Sequence, residues 1–316
     1  MLAGCSLSSL AVLMALGIAL DLCLGEPRRW HPLVGFGRLA AWLETRLNAG
    51  RARLVRGMLA WSLAVLPFCL CAWWGTARLA VRHPLAAGAA HAVLLYLSLG
   101  LRSLRDHVLP IAQALDDGDL PRARQLTARI VSRDTAQADA PQLAKAAVES
   151  TLENGNDAVF GTLFWFLLAG GPGALLFRFA NTLDAMWGYR TPRFAAFGCA
   201  AARLDDLLNL VPARLTALSY AMLGDSRRAW RCWRAQAPAW TSPNAGPVMA
   251  AGAGALGLAL GGAAVYDGIV EQRPLLGAGR PAEARDIHRA WRLVASAVCW
   301  WMLLVGVAGI AGAAHA

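Results

Sequence analysis

Long stretches without a charged side chain constrain this sequence more than any other feature. Six runs of at least 19 residues contain no Asp, Glu, Lys or Arg: 1–20, 57–77, 83–101, 158–177, 235–266 and 293–316. A helix needs about 20 mainly apolar residues to cross a bilayer. Only 16% of the residues are charged, against about 25% in an ordinary soluble domain. The sequence therefore predicts an all-α polytopic membrane protein with four to six membrane helices, the first over 7–24.

Two of these runs depart from a plain membrane helix. The run 158–177 contains a cluster of helix breakers, Gly170-Gly171-Pro172-Gly173, which predicts a broken helical hairpin rather than one straight span. The run 235–266 opens with a polar turn, and its pair of small residues Gly257 and Gly261 favours a helix packed closely inside a bundle.

The distribution of arginine predicts which loops face the cytoplasm. The segment 26–57 holds seven arginines and 227–234 holds four, and cytoplasmic loops carry such an excess of positive charge. The segment 102–157 is the one long polar stretch and holds nine of the twenty acids. We therefore expect one membrane-embedded domain over 1–316, with a cytoplasmic helical polar segment at 102–157, in a bacterial inner membrane.

Several function classes are excluded by the motifs that are missing. The net charge of +10 suits either a nucleic-acid binder or a membrane protein, but the arginines lie in dispersed loops without interleaved aromatic residues, which argues against nucleic acid. Lys145 is the only lysine and lies between two alanines, so no P-loop is present. The hydrolase motifs Gly-x-Ser-x-Gly and His-Glu-x-x-His are absent as well.

Carboxylates cluster on a predicted helix directly before the hairpin. Pro141 follows Asp139, as at a helix start, and the helix is expected to end near Asn154. Glu149 and Glu153 share one face, and Asp157 extends it if the helix continues. Such a stripe repels itself unless a cation neutralises it, and Mg²⁺ is a natural candidate. The alternative is an ion pair between Lys145 and Glu149 on a solvated face.

Further polar residues follow the hairpin. Asn181 and Asp184 are neighbours on one helix face, and hairpin geometry is expected to bring them back toward 149–157. Asp205, Asp206 and Arg214 lie at the mouth of another apolar segment, where ionisable residues are often functional. The alternative for Asp206 is an interfacial pair with Arg203.

Three more polar positions have both a functional and a structural interpretation. The string around Asn244, Ser-Pro-Asn-Ala-Gly, starts a Gly/Ala-rich helix whose N–H groups can bind phosphate or simply be capped. Arg133 can offer a guanidinium to a phosphate or pair with Asp134. His31 can shuttle a proton or make a structural hydrogen bond.

Taken in order, these strings resemble the CobD/CbiB family of cobalamin biosynthesis, the integral membrane adenosylcobinamide-phosphate synthases. The matching strings are the following: Asp21-x-x-x-Gly-Glu-Pro with His31-Pro, Arg133-Asp-Thr, Glu149-Ser-x-x-Glu153-Asn with Asp157, Leu163-Phe-Trp, Gly171-Pro-Gly-Ala, Asn181-Thr-Leu-Asp184-Ala-Met with Gly188-Tyr, Arg203-Leu-Asp-Asp206, Pro212-Ala-Arg214-Leu-Thr, Ser242-Pro-Asn-Ala-Gly246, and Leu260-Gly-Gly with Tyr266 and Gly268. The resemblance extends from Asp21 to about Gly277. Gly161-Thr162 and Arg178 depart from the family's usual Ala-Pro and Lys, which affects residue roles more than the overall reaction.

The resemblance implies an ATP-dependent ligase that joins adenosylcobyric acid to aminopropanol or its phosphate. On the matching positions we expect Mg²⁺ to be held by Glu149, Glu153, Asp157 and Asp184. Glu153, Asp184, Asp206 and His31 are the expected catalytic residues. Arg133, Asn181, Arg214 and Asn244 are the expected ligands of substrate or phosphate.

Two other functions remain as alternatives at this stage. One is a non-catalytic membrane regulator like AmpE, a relative of this family that acts in β-lactamase induction. The other is a transporter of an anionic solute, since broken helices and intramembrane glycines are typical of transporters. The charged residues gather at one mouth rather than inside the spans, which favours the ligase over the transporter.

Overall fold

A computed structural model describes residues 6–27, 32–266 and 268–314, and helices dominate it. The helices are α1 Leu7–Leu24, α2 Pro32–Leu47, α3 Arg53–Arg82, α4 Pro84–Ser98, α5 Leu101–Asp116, α6 Leu120–Thr127, α7 Ala140–Asn154, α8 Gly161–Trp187, α9 Cys199–Leu223, α10 Ser226–Gln236, α11 Ala245–Leu256 and α12 Ala284–Ala314. A small sheet contains β1 Leu258–Tyr266, β2 Ile269–Gly277 and β3 Arg280–Pro281.

Within the described residues, five helical stretches are long and apolar enough to cross a membrane. They are Leu7–Leu24, Arg53–Arg82, Pro84–Asp116, Ala140–Trp187 and Ala284–Gly312. The chain is thus an all-α multi-pass membrane protein with a small added sheet, and the predicted fold class is confirmed. The first helix has the predicted bounds because the Ser6 hydroxyl accepts a hydrogen bond from the Ser9 N–H at its start.

The contacts divide the chain into two compact units. Unit 1 consists of Met1–Leu101, Gly161–Asn209 and Met302–Ala316. Unit 2 consists of Arg102–Phe160 and Leu210–Trp301. Each unit therefore contains segments that are distant in sequence.

An aromatic core holds unit 1 together. The rings of Phe36 and Phe179 are stacked with their centroids 3.9 Å apart, and Trp187 packs edge-on against Phe197. The carboxylate of Glu44 on α2 is buried and accepts hydrogen bonds from Arg193 at 2.6 and 3.0 Å. These contacts tie α2 and α8 to the segment that precedes α9.

The predicted helical hairpin is present in α8. Ala169 and Gly170 have non-helical dihedral angles, with Gly170 at φ +65°, so the helix is broken there. A Cβ added to Gly173 would lie 2.3 Å from the Trp165 carbonyl oxygen, and one on Gly161 would overlap the Phe177 ring. These close approaches pair residues at equal distances on either side of the break, so the two arms pack against each other in antiparallel fashion.

Capping explains where α7 begins in unit 2. The Asp139 carboxylate accepts a hydrogen bond from the Gln142 N–H, and the Gln142 side chain accepts one from the Asp139 N–H. The helix over 140–154 agrees with the sequence prediction. It continues as a π-helical turn over Gly155–Phe160, a form that is frequent at functional sites.

The sequence predicted a packed helix in the run 235–266. The helix is present only up to Leu256, and from Leu258 onward the prediction is wrong because the chain forms a strand. Helix α11 ends at Leu256 because Gly257 adopts φ +69° and ψ +40°, the left-handed conformation of a helix C-cap. The chain then forms β1, which pairs in antiparallel fashion with β2 and in parallel with β3. The alanine and glycine content of this run suggested a helix, but positive φ angles at Gly261 and Gly262 are incompatible with one.

Candidate active site

Glu149 on α7 lies at the centre of a buried cluster of charges in unit 2. Its side chain is 3% exposed. One carboxylate oxygen, Oε2, pairs with Arg133 and with Nη1 of Arg273 at 3.1 Å. The other, Oε1, accepts hydrogen bonds from the Gly261 N–H at 2.7 Å and from Nη2 of Arg273 at 3.3 Å. One carboxylate therefore fixes two guanidinium groups.

An irregularity in the sheet brings Arg273 and the Gly261 N–H to Glu149. The register between β1 and β2 shifts between Gly261 and Gly262, which face Leu275 and Arg273 respectively, so Pro274 is the extra residue of a β-bulge. Proline suits a bulge because it has no N–H to contribute to the ladder. A Cβ on Gly261 would lie 2.1 Å from the Pro274 carbonyl oxygen, so this close approach requires glycine.

Lys145, one helical turn before Glu149 on α7, binds the same part of β1. Its ammonium donates hydrogen bonds to the carbonyl oxygens of Gly261 at 2.9 Å and Ala263 at 3.2 Å. The alternative interpretation paired Lys145 directly with Glu149. In the structure Lys145 binds backbone carbonyls, and Arg133 and Arg273 bind the carboxylate of Glu149.

The charge cluster opens into a cleft of about 360 Å³. Its lining residues are Ile130, Val131, Ser132, Arg133, Glu149, Ser150, Glu153, Asn154, Trp240, Thr241, Met249, Tyr266, Glu271, Arg273 and Pro274. The Arg273 guanidinium lies over the Trp240 ring at 5.5 Å from its centroid. The cleft combines two guanidinium groups, the carboxylates of Glu153 and Glu271 beside that of Glu149, and the aromatic rings of Trp240 and Tyr266. Such a surface suits a phosphorylated ligand.

The π-helical turn sets the orientation of Asp157. The side-chain amide of Asn156 donates a hydrogen bond to the Asp157 carboxylate at 2.9 Å, and the Thr216 hydroxyl donates one to the side-chain oxygen Oδ1 of Asn156 at 2.9 Å. Thr216 is fully buried on α9. The predicted carboxylate stripe is therefore split: Glu149 is bound by arginines, whereas Asp157 is held by an amide.

These contacts bear on which residues fit a magnesium ion. In the part of the chain that the structure describes, no three His, Cys, Asp or Glu side chains gather so that they could hold a metal ion. Both oxygens of Glu149 already accept hydrogen bonds, so Glu149 does not fit as a ligand. Mg²⁺ often takes only one or two carboxylates together with substrate phosphates, and Glu153 and Asp157 fit that smaller role.

Arg214 and Asn244, both predicted to bind substrate, meet in unit 2. Nη1 of Arg214 donates a hydrogen bond to the Asn244 side-chain oxygen at 2.5 Å. Asn244 is buried immediately before α11, where the Ser242 hydroxyl accepts hydrogen bonds from the N–H groups of Asn244 and Ala245. Ser242 thus caps the turn, and the Asn244 side chain orients Arg214.

Three other predicted residues, Asn181, Asp184 and Asp206, lie in unit 1. Asn181 donates a hydrogen bond to Asp205 at 3.4 Å, which joins the second arm of α8 to α9. Asp184 is partly buried one turn further along, against the backbone of Gly188. Asp206 is partly buried on α9. His31 lies outside the described residues.

Comparison with known proteins identifies the family. The profile described as CobD/Cbib protein matches residues 14–294. The chain belongs to the CobD/CbiB family. It is 59% identical to a protein of Stutzerimonas stutzeri named "Cobalamin biosynthesis protein CobD" over 91% of this chain and 94% of the relative. A protein of the same name from Chromobacterium violaceum is 52% identical over 97% and 99%, and one from Mycobacterium tuberculosis is 41% identical over 89% and 90%. No solved structure matches the chain.

Sequence reasoning on this CobD/CbiB member did not anticipate Arg273 and Trp240. Arg273 is 124 positions from Glu149, and no spacing rule connects residues that far apart. The available signal was weak: Arg273 is the first cation after the charge-free run 235–266, but Asp267 and Glu271 lie between them. Trp240 gave no signal beyond its place in the polar turn before α11.

Proposed function

We propose that the chain catalyses ATP-dependent amide-bond formation between adenosylcobyric acid and (R)-1-amino-2-propanol or its O-phosphate, giving adenosylcobinamide or its phosphate in cobalamin biosynthesis. Membership of the CobD/CbiB family and the names of the relatives support the pathway. The pairing of Arg133 and Arg273 on Glu149, beside a cleft, is the structural observation that carries the proposal.

The chemistry requires activation of a carboxylate. A carboxylate oxygen of adenosylcobyric acid attacks the γ-phosphorus of ATP, the bond to the β–γ bridging oxygen breaks, and ADP leaves. The amine nitrogen then attacks the acyl carbon, the carbon–oxygen bond to phosphate breaks, and the amine loses a proton. Both steps change the charge on phosphoryl oxygens, so positioned cations and hydrogen-bond donors are the main requirement.

We assign phosphate binding to Arg133 and Arg273. Glu149 acts as a positioning residue, because it is bound to both guanidiniums and to the backbone. Glu153 lines the same cleft and is proposed as a ligand of the Mg²⁺ that accompanies ATP, whereas Asp206 is proposed to accept the amine proton. Arg214, with Asn244 against it, is proposed as a further anion ligand.

The remaining residue roles rest on the family resemblance. Asp184, Asp206 and His31 are proposed as catalytic, and Asn181 as a substrate ligand. Mg²⁺ accompanies ATP in the proposal, with Glu153 and Asp157 as its protein ligands; the ion would neutralise phosphate charge. We place the active face on the cytoplasmic side of an inner membrane because the arginine-rich segments 26–57 and 227–234 follow the positive-inside rule.

Mass spectrometry of purified protein tests the reaction. The detergent-solubilised full chain is incubated with adenosylcobyric acid, MgATP and either aminopropanol or its phosphate. We expect the amide of one amine together with stoichiometric ADP. The variant R273Q should form little product, whereas R122Q, an exposed arginine on α6, should match the wild type. Absence of product from folded wild-type protein, beside an active relative, would overturn the ligase and favour the AmpE-like regulator.

A further inference from the structure

The short helix α10 has two chemically different faces. Its exposed face consists of Arg227, Trp230, Arg231 and Arg234. These positions follow the spacing i, i+3, i+4 and i+7, so they lie along one side of the helix. On the opposite side Ala229 and Cys232 are buried. A basic face with a tryptophan, opposite a buried apolar face, is typical of a helix at a membrane surface.

The neighbouring chain holds α10 in a fixed orientation. The Asp225 carboxylate caps its first turn by accepting a hydrogen bond from the Arg228 N–H at 3.0 Å. The last turn is held by Gln236, whose side chain exchanges two hydrogen bonds with the backbone of Gly277, at 2.9 and 2.6 Å. In the middle, a Cβ on Gly254 would lie 2.7 Å from the Cα of Ala229. The basic face is thus presented outward by a helix fixed at three points.

The preceding helix indicates the level of α10 in the membrane. Unit 2 contains the last part of α9, which exposes an apolar stripe of Val211, Leu215, Leu218, Met222 and Leu223. Helix α9 is not one of the five stretches long and apolar enough to cross a membrane, and an exposed apolar stripe on such a helix is typical of a surface that contacts a membrane. The stripe ends at Leu223, and the arginine face begins at Arg227. This change from apolar to basic side chains is typical of the boundary between hydrocarbon and headgroups, where tryptophan is also enriched.

We infer that the exposed face of α10 binds the phosphate headgroups of anionic phospholipids. Guanidinium groups make charge-assisted hydrogen bonds to phosphate oxygens, and Trp230 is 47% exposed beside them, with its ring against Trp233. The nearby acid Asp225 is occupied by capping the helix and pairing with Arg228 at 3.0 Å. The face is separate from the cleft around Glu149 and does not depend on the proposed reaction.

Lipid retention by the full chain tests this inference. Purified protein in detergent is incubated with equimolar phosphatidylglycerol and phosphatidylcholine, and the lipids that co-purify are quantified by mass spectrometry. The wild type is expected to retain phosphatidylglycerol preferentially. The variant R231Q/R234Q should lose that preference by about fivefold for each arginine removed, the value of one cation at an anionic surface. Added salt should reduce the preference of the wild type in the same direction.

A matched control separates this face from the general positive charge. R122Q/R129Q removes the same charge from two exposed arginines of the polar segment and should keep the wild-type preference. W230A, which changes no charge, should weaken retention as well. Equal retention by R231Q/R234Q and the wild type, or equal losses in both double variants, would overturn the inference. Displacement of phosphatidylglycerol by equimolar inorganic phosphate would also overturn it, because a soluble anion would then be the ligand.

Discussion

Two buried carboxylates in unit 2 are each bound by two arginines and one backbone N–H, yet they have different surroundings. Glu149 binds Arg133, Arg273 and the Gly261 N–H. Asp286 binds Arg280 at 2.7 and 2.8 Å, Arg289 at 2.8 Å and the Glu283 N–H at 2.8 Å. The comparison separates an arginine cluster that can act on a ligand from one that holds the fold.

The difference lies in what the arginines do beyond their shared carboxylate. Arg280 also donates a hydrogen bond to the Pro281 carbonyl at 3.0 Å, and Arg289 donates one to the Leu256 carbonyl at 2.8 Å. The bond from Arg289 joins the first part of α12 to the end of α11, whereas the bond from Arg280 lies within β3. Arg273 also donates a hydrogen bond to the Gly262 carbonyl at 3.3 Å. Unlike the Asp286 pair, however, Arg133 and Arg273 line a cleft, with their side chains only 12% and 13% exposed. Low exposure beside a cavity strengthens the attraction of a guanidinium for phosphate.

Replacing one arginine of each cluster should give the largest difference between the Glu149 and Asp286 clusters, and the difference should appear in turnover. R133Q or R273Q is expected to reduce amide formation by about 100- to 1000-fold, the usual cost of losing one donor that stabilises transition-state charge. R280Q should leave turnover per folded molecule unchanged. Turnover is measured by mass spectrometry and normalised to folded protein from size-exclusion chromatography. Full activity of R273Q would remove the distinction between the two clusters.

Neutralising the central carboxylate should affect stability in both clusters. E149Q leaves two buried guanidiniums without a counter-charge, which costs about 3–5 kcal/mol in comparable buried pairs. D286N should cost less, because Arg280 and Arg289 are 35% and 36% exposed and water screens them. Thermal unfolding in detergent shows which of the two variants, E149Q or D286N, loses more stability. Only E149Q should also lose turnover in the molecules that remain folded; a greater loss of stability in D286N would contradict the comparison.

Lys145 offers a smaller perturbation of the Glu149 cluster alone. K145M removes two hydrogen bonds from an ammonium to the carbonyls of β1, and we expect a loss of about 1–3 kcal/mol from bonds to a charged group. The Gly261 N–H should move away from Glu149, so turnover should fall as well. K145R keeps the charge and is expected to recover part of the stability and part of the turnover that K145M loses. Unchanged melting and turnover in K145M would show that β1 holds its position without Lys145.

Breaking the ion pair of Glu44 and Arg193 in unit 1 should have the smallest effect on stability. The hydrogen bond from Arg193 holds the pKa of the Glu44 carboxyl below its usual value of 4.5. A lowered pKa in the folded state means that the pair stabilises the fold above that value, and that its contribution disappears as the pH falls through the folded pKa. Melting of the wild type and E44Q should therefore differ at neutral pH and converge in acid. Arg193 is 64% exposed, so the difference should be small and should shrink with added salt.

Local sequence signals predicted the parts of the fold that depend on neighbouring residues. The bounds of α1 follow from one apolar run, the start of α7 from Asp139 and Pro141, and the break in α8 from the Gly/Pro cluster at 170–173. Each depends on a few consecutive residues. The family resemblance likewise rested on short strings, and the profile match over 14–294 confirms it.

Features that depend on distant residues were not predictable in this way. Strand β1 has the composition of a packed helix, and only its pairing with β2 reveals it as a strand. The arginines that bind Glu149 are 16 and 124 positions away from it. The sequence indicated Glu149 and Arg133 separately, as a metal ligand and a phosphate ligand, but it gave no sign that they bind each other.

The bulge at Pro274 makes this region sensitive to the number of residues rather than to their identity alone. A bulge places one extra residue in one strand of a pair, which bends that strand and increases its local twist. Pro274 is the one unpaired residue between Arg273 and Leu275. Deleting it would leave Arg273 opposite Gly262 and Leu275 opposite Gly261 in a regular ladder, but would remove the bend and the extra twist by which a bulge directs a side chain. Relatives that keep the cleft are thus expected to vary in sequence along β2 but to conserve its length.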